Sequence, residues 1–212
     1  MGLAETQHVL ARVYTDAAVR EKFFADPQKA GEEFGLSFDE ARQLARLAAP
    51  QVLLFAGSLR GKRLQAACEL LPLTSRALGD RTASLFTEHA ASYLPKGIKK
   101  HRDDAIAFAA FVEKNAGRED TLPEWIAEVA RYERGWLEAA DPARRLIVSL
   151  FRHHIAELTR AVAGGVEQPI LTARPILACW LRLTPRGTVR HTVLPLPLPR
   201  VATAIFRIIN FC

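Results

Sequence analysis

The side chains that could bind a metal ion are few and widely spaced along the chain. His153 and His154 are the only adjacent histidines, and Glu88-His89 and His101 could add ligands only if the fold brought them together. Neighbouring residues point about 100° apart on a helix and to opposite faces on a strand, so the pair is poorly placed to share one ion. We therefore predict no metal site and interpret these histidines as structural.

Nucleophilic and cofactor chemistry is also poorly supported by the sequence. The three cysteines, Cys68, Cys179 and Cys212, follow no disulfide or metal-ligand spacing. We expect Cys68 and Cys179 to be small core residues, and we interpret Cys212 as a frayed chain end rather than a nucleophile. The sequence lacks a glycine-rich phosphate loop, His-Glu-x-x-His, Cys-x-x-Cys and Gly-x-Ser-x-Gly. It therefore predicts a chain that is not an enzyme, with no catalytic residue and no cofactor.

Basic side chains form three clusters that could contact an acidic partner. Their members are Arg60, Lys62 and Arg63, then Lys99, Lys100 and Arg102, and finally Arg182, Arg186 and Arg190. Long cationic side chains suit phosphate, so the first two clusters predict DNA binding as one alternative. A solvated or partner-facing surface is the other alternative, because Asp103 and Asp104 follow the second cluster and cancel part of its charge.

Aromatic side chains are concentrated in one amphipathic segment. Thr121 and Glu124 form a predicted capping box, and Trp125, Tyr132 and Trp136 follow within about three helical turns. Two interpretations stay open for this segment: an ordinary core helix, or an aromatic groove that binds a peptide. The second interpretation rests on the frequency of Trp and Tyr as interface anchors.

Composition narrows the class of protein. The chain has 212 residues, of which 49% are hydrophobic, and 29 Lys and Arg against 23 Asp and Glu give a formal net charge of +6. This composition predicts an ordered protein with a sizeable core, and the mild basic excess permits an acidic partner without requiring one. No run approaches the roughly 18 apolar residues of a membrane helix. With no signal-peptide pattern in the first residues, we predict a cytoplasmic protein with no membrane partner.

Hydrophobic periodicity and helix-capping residues predict the helices and strands that carry these side chains. They predict a mainly α fold, a multi-helix bundle with a small α+β portion at the C-terminus that contains a β-hairpin. Composition divides the chain into an N-terminal helical hairpin (1–49), a helical domain (50–164) and a C-terminal part (165–212). Asp141-Pro142 is read as the start of another helix that extends to Val162, although 145–152 could instead be a strand.

The C-terminal part is predicted as the hairpin. Ile176–Thr184 and Thr188–Leu194 flank Pro185-Arg186-Gly187, which is typical of a hairpin turn, and both faces are partly apolar. Its edge could accept an extended peptide, and its arginines would favour an acidic one. Leu194–Pro199 is predicted to be an extended connector to a final helix or strand, Val201–Cys212.

The order of signals between about residues 58 and 140 resembles the HvfC family of helical proteins, which also carry a DNA-binding-domain label. The shared pattern begins with a helix whose first turn is basic, followed by an apolar run that ends in Pro and by a Leu-x-Gly element. An alanine-rich helix comes next. The pattern ends with Leu-Pro before a helix that contains a Leu-Glu or Tyr-Glu pair and a Trp. Here it consists of Ser58-Leu59-Arg60, Leu71-Pro72-Leu73-Thr74, Arg76–Gly79, Leu85–Ala90, Ala107–Phe111, Leu122-Pro123, Tyr132-Glu133 and Trp136.

The resemblance implies an accessory role. Members of the family act beside TIM-barrel iron enzymes in the maturation of ribosomally synthesised, post-translationally modified peptides. The helical protein binds the precursor peptide and helps present its cysteines, while the partner carries the metals and performs the chemistry. The leading hypothesis is therefore a non-catalytic subunit that engages a peptide or protein partner through Trp125, Tyr132, Trp136 and the hairpin arginines.

Overall fold

The computed structural model of the chain describes residues 3–117 and 122–196. These described residues form ten helices and three strands. The helices are α1 (Leu3–Thr15), α2 (Ala17–Ala25), α3 (Pro27–Glu33), α4 (Phe38–Leu44), α5 (Ala49–Leu70), α6 (Pro72–Leu78), α7 (Arg81–Ser92), α8 (Lys100–Asn115), α9 (Glu124–Ala139) and α10 (Ile155–Ala163). The strands are β1 (Leu146–His153), β2 (Ala173–Leu181) and β3 (Arg190–Pro195). The predicted fold class, mainly α with a small C-terminal α+β portion, is confirmed.

Contacts divide the chain into two compact units. The first consists of Met1–Gln65 and Thr87–Leu94, and the second of Ala66–Phe86 and Pro95–Cys212. The boundaries predicted from composition, at 49/50 and 164/165, do not coincide with these limits.

Local sequence determines the helix boundaries in the first unit. Asp26 caps α3 by accepting a hydrogen bond from the Lys29 amide, and Pro27 occupies the first helical position. Gly35 then adopts a φ of 75°, which only glycine reaches without strain. Ser37 and Glu40 exchange both hydrogen bonds of the predicted capping box at the start of α4. The core of this unit contains Val9, Val13, Val19, Phe23, Ala30, Leu36, Ala41, Leu44 and Val52.

Helix α9 is central to the second unit. It contacts α6, α8 and α10 as well as β1 and β2. It begins directly after Pro123, while Thr121 of the predicted capping box lies outside the described residues. Its apolar face joins a core formed by Val129, Ala139, Phe151, Ile155, Leu158, Val162, Ile176, Ala178 and Trp180.

The three strands form one antiparallel sheet in the order β1-β2-β3. The predicted hairpin is confirmed as β2 and β3, and the Gly187 amide donates to the Thr184 carbonyl oxygen inside the turn. The connector was predicted to begin at Leu194, but Leu194 and Pro195 instead pair with β2 as the last residues of the edge strand β3. The remainder of that connector from residue 197 onward, and the final element predicted at Val201–Cys212, lie outside the described ranges.

Of the two alternatives for 145–152, the strand is confirmed as β1, and the helix predicted to start at Asp141-Pro142 is wrong for these residues. Asp141 instead closes a turn by accepting a hydrogen bond from the Ala143 amide at 3.1 Å. Ile147 and Phe151 lie four residues apart, which imitates a helical face, but pairing with β2 satisfies the backbone of this segment as a strand. The helical prediction holds only for α10, which follows from Ile155.

Candidate functional site

The predicted aromatic residues of α9 meet the inner face of the sheet. The Tyr132 ring lies 5.7 Å from the indole of Trp180 and 5.5 Å from the imidazole of His191, measured between ring centroids. The Trp136 ring lies 6.2 Å and 5.2 Å from the same two side chains. Tyr132 is therefore half-buried among its own chain's rings, whereas Trp136 keeps 39% of its surface exposed.

A glycine makes this aromatic packing possible. A Cβ atom built on Gly135 would lie 2.7 Å from the Trp180 ring, well inside van der Waals contact. Trp180 is 1% exposed, so its indole lies directly against the backbone of α9. Neither Gly135 nor Trp180 can be recognised from sequence as a determinant of the site, because they are 45 residues apart and only the fold brings them together.

Trp125 lies in different surroundings from the other two aromatic residues. It packs against the core cluster on one side and lines a groove of about 460 Å³ on the other. Arg76 and Arg81 line the same groove, together with Asp80 and Glu167. The structure thus places the three predicted aromatic residues in two separate environments rather than in one groove.

The three hairpin arginines also differ in their surroundings. The Arg182 guanidinium donates to the carbonyl oxygen of Ala139 at 2.8 Å and to that of Gly187 at 2.5 Å. Arg182 therefore ties the hairpin turn to the end of α9 and is half-buried. Arg186 and Arg190 are exposed. Of the predicted cluster, these two arginines present their charge to the solvent.

The sheet has a second apolar face, opposite the one that packs against α9, and it is exposed only in part because Leu150 on this face is 5% exposed. The strand register places on this outer sheet face the side chains of Leu146, Val148, Leu150, Leu177, Cys179, Leu181 and Leu194. Leu146, Val148, Leu181 and Leu194 remain 58%, 43%, 38% and 48% exposed. Arg190 and Thr192 lie on the same face of β3. The apolar run at 146–150 was the sequence signal for the β1 part of this face, but the preference for a helix in that segment concealed it.

The two edge strands of the sheet differ in how their outward-facing backbone groups are hydrogen-bonded. At β1, Arg131 of α9 donates to the Leu150 carbonyl oxygen at 3.0 Å, and Glu128 accepts from the amides of Arg152 and His153 at 2.8 and 3.2 Å. Side chains of α9 thus occupy backbone groups along this edge. None of these three helix-to-strand contacts was expected from the sequence.

At β3 the backbone groups of alternate residues point away from β2. The Leu196 amide donates to the Pro175 carbonyl oxygen, which makes this position a hydrogen-bonded pair of the antiparallel ladder. By alternation, the backbone groups of His191, Val193 and Pro195 face the outer edge. His191 and Val193 each offer an N–H and a C=O there, and Pro195 offers only a C=O.

Two buried carboxylates of α9 bind backbone rather than forming a catalytic pair. Glu133 accepts hydrogen bonds from the amides of Leu73 and Thr74 and from the Thr74 hydroxyl. Burial raises the pKa of the Glu133 carboxyl, while the Thr74 and Leu73 hydrogen bonds act in the opposite direction. Glu128 accepts from the two β1 amides and contacts Nδ1 of His153 at 3.1 Å. Both carboxylates therefore have structural partners.

The predicted metal-ligand candidates are dispersed. His89 is buried and stacks on Tyr93, His101 is exposed, and His153 contacts Glu128. Across residues 3–117 and 122–196, no group of three or more His, Cys, Asp or Glu side chains could hold a metal ion. Cys68 and Cys179 are half-buried free thiols rather than fully buried core residues, and Cys212 lies outside the described ranges.

The two clusters predicted to bind DNA are partly occupied by protein groups. In the first, Arg60 and Lys62 are exposed, and Arg63 donates to the Tyr93 carbonyl oxygen at 2.9 Å. In the second, Lys100 is exposed, and Lys99 and Arg102 both pair with Asp141, at 3.7 and 3.3 Å. The Ala143 amide and these two cations hold the pKa of Asp141 below its usual range. The second cluster therefore presents less net charge than its sequence implies.

Comparison with known proteins gives no matching family model and no matching curated protein. The resemblance to the HvfC family thus stays a prediction from residues 58–140. Among the helices that the structure describes, none combines the length and apolarity needed to cross a membrane.

Proposed function

We propose that this protein is a non-catalytic accessory subunit that binds an acidic peptide or protein segment on its C-terminal sheet. The observation that carries the proposal is the outer sheet face, where Leu146, Val148 and Leu194 are exposed although the opposite face of the same sheet packs against the core. An exposed contiguous apolar patch marks an interaction site more often than scattered apolar residues do.

The β3 edge supports an extended ligand. His191 and Val193 direct backbone donors and acceptors away from β2, so a partner strand could continue the ladder. Every second side chain of that strand would then extend the outer sheet face beside Leu194. Apolar residues at those positions would bury area on both partners.

Charge favours an acidic ligand. Arg186 and Arg190 are exposed at the hairpin, and no acidic residue follows Glu167 in the sequence. A positive surface of this kind accelerates the association of an acidic segment and disfavours a basic one. Arg182 contributes mainly by holding the hairpin turn, since its guanidinium is bonded to Ala139 and Gly187.

The family resemblance specifies which peptide would be bound and which enzyme would receive it. The bound segment is a ribosomal peptide precursor in the cytoplasm, and a TIM-barrel iron enzyme receives it from this subunit. The chemistry then belongs to the partner enzyme, and this chain contributes recognition alone, without a cofactor of its own. DNA binding through the basic clusters Arg60–Arg63 and Lys96–Arg102 is the competing function.

A synthetic peptide that alternates leucine and glutamate tests the proposal. It should bind the full chain at least about tenfold more tightly than a leucine–lysine peptide of equal length, a difference of about 1.4 kcal/mol. Val148→Glu should abolish this preference by placing a carboxylate on the outer sheet face. Ile98→Glu is the matched control, because Ile98 is fully exposed and lies in the turn before α8, outside the three strands. Equal binding of both peptides would contradict the proposal, as would tighter binding of a DNA duplex.

A further inference from the structure

A second groove lies within the first compact unit. It has a volume of about 320 Å³ and is formed by residues at the α1–α2 junction, on α5 and on α7. Its polar cationic lining consists of Arg20, Arg60 and Arg63, and its apolar lining includes Leu53 and Leu59. Arg60 and Arg63 are predicted from sequence only as members of a basic cluster, and the proposed peptide-binding function does not use this groove.

The groove carries concentrated positive charge. Three arginines and no aspartate or glutamate are among the described residues that line it. Arg20 donates to the carbonyl oxygens of Val13 and Tyr14 at 3.1 and 3.4 Å, which fixes its position at the end of α1. A guanidinium that is held in place by carbonyl groups keeps its charge and loses less entropy when it binds an anion.

The side chains that α5 contributes to the groove change from apolar to basic along the helix. Leu53, Gly57 and Arg60 follow one another at steps of three or four residues, so they lie along one face of the helix. Arg63 continues that face one turn later. Leu53 and Arg63 are about 15 Å apart along the helix axis, at 1.5 Å per residue. An apolar end and a cationic end are thus separated by the length of a short alkyl chain with its headgroup.

We propose that this groove binds a single-chain amphiphile with a phosphate headgroup. The phosphate would contact Arg60 and Arg63, because a phosphate monoester offers three acceptor oxygens and up to two negative charges. The alkyl chain would lie along Leu53 and Gly57. The volume is at the lower end of the range for small-molecule sites, which favours one short chain over a two-chain lipid.

Isothermal titration of the full chain with octyl phosphate, below the concentration at which it forms micelles, tests this proposal. Octyl phosphate should bind at least about tenfold more tightly than inorganic phosphate and than neutral octyl glucoside, since it alone engages both ends of the groove. Equal affinity for octyl glucoside or for inorganic phosphate would overturn the proposal. Binding that occurs only to vesicles containing phosphatidic acid would also overturn the proposal, and so would tighter binding of a DNA duplex.

Two pairs of variants locate the binding. Gly57→Leu should reduce the affinity for octyl phosphate at least about tenfold by filling the groove, whereas Gly61→Leu, one turn along α5 and outside the groove, should not. Neither glycine has an atom within 4 Å of a built Cβ, so both variants should fold.

Arg60→Ala should likewise weaken binding, and Lys62→Ala, which is also exposed, should not. Unchanged affinity in Gly57→Leu, or an equal loss in its control, would contradict the assignment. Because all four positions lie outside the sheet, these results are independent of the peptide-binding function.

Discussion

The Glu133 carboxylate accepts two hydrogen bonds from Thr74, one from the backbone amide and one from the hydroxyl, each at 2.7 Å. A third comes from the Leu73 amide, so a side chain of α9 caps the N-terminus of α6, where Pro72 is the first helical residue. The Leu-Pro-Leu-Thr and Tyr-Glu elements in the predicted family pattern are therefore the two halves of one structural contact.

Glu133→Gln should destabilise the protein by about 1–3 kcal/mol. Glutamine has an NH2 group in place of one carboxylate oxygen, and this group cannot accept a hydrogen bond. At least one of the three groups that now donate to Glu133 would then be a buried N–H or O–H without an acceptor. Urea unfolding followed by circular dichroism measures the loss. Glu124→Gln is the control on the same helix, because Glu124 forms an exposed ion pair with Arg152 that should contribute less than about 1 kcal/mol. Equal losses in the two variants would contradict the capping role.

Gly135→Ala should destabilise the protein although alanine is the better helix former. The new Cβ would lie 2.7 Å from Trp180, and relief of that overlap should cost about 1–3 kcal/mol. Gly61→Ala is the matched change on α5, where nothing lies within 4 Å, and it should stabilise by about 0.5–1 kcal/mol. Opposite signs in the urea midpoints are expected. A stabilised Gly135→Ala variant would show that Trp180 does not lie against this helix.

Arg182→Ala should loosen the hairpin, whereas Arg186→Ala should not. Arg182 holds the carbonyl oxygens of Ala139 and Gly187, and hydrogen bonds from a charged donor contribute about 1.5–3 kcal/mol. Amide hydrogen exchange in 183–190 measures the effect and should accelerate only in the first variant. Equal exchange in both variants would contradict the tie between the hairpin and α9.

His191 should make stability fall in mild acid. Burial lowers the pKa of His191 below its ordinary value of 6.5, so the unfolded chain takes up a proton before the folded one. The stabilisation is complete above pH 6.5 and decreases as the pH falls from there toward the folded pKa. The difference in unfolding free energy between the wild type and His191→Phe, followed from pH 8 to 5, isolates this contribution from other titrating groups. A difference that is independent of pH would contradict it.

Local signals predicted those parts of the fold that depend on neighbouring residues. The capping box of Ser37 and Glu40 and the hairpin around Arg186 need only a few adjacent side chains, and both were predicted from them. Strand β1 was harder, because Ile147 and Phe151 fit a helical period as well as a strand. Its conformation is decided by β2, whose first residue lies twenty residues beyond the end of β1.

The candidate sites show the same dependence on distant contacts. Tyr132 and Trp136 were recognised as an aromatic concentration, but their partners Trp180 and His191 come from two strands that follow much later. The outer sheet face likewise needs the register of β1 against β2. Arg182 could not be separated from Arg186 and Arg190 by sequence, because its hydrogen bond to Ala139 exists only in the folded unit.

Amide hydrogen exchange with and without the leucine–glutamate peptide tests the central claim most directly. The account predicts that the peptide slows exchange at the amides of His191 and Val193, which face the outer edge of β3, and that Arg186→Glu with Arg190→Glu removes this protection. The Leu196 amide, already bonded to Pro175, should change little. Bound peptide that protects other regions and leaves the His191 and Val193 amides unchanged would contradict the account.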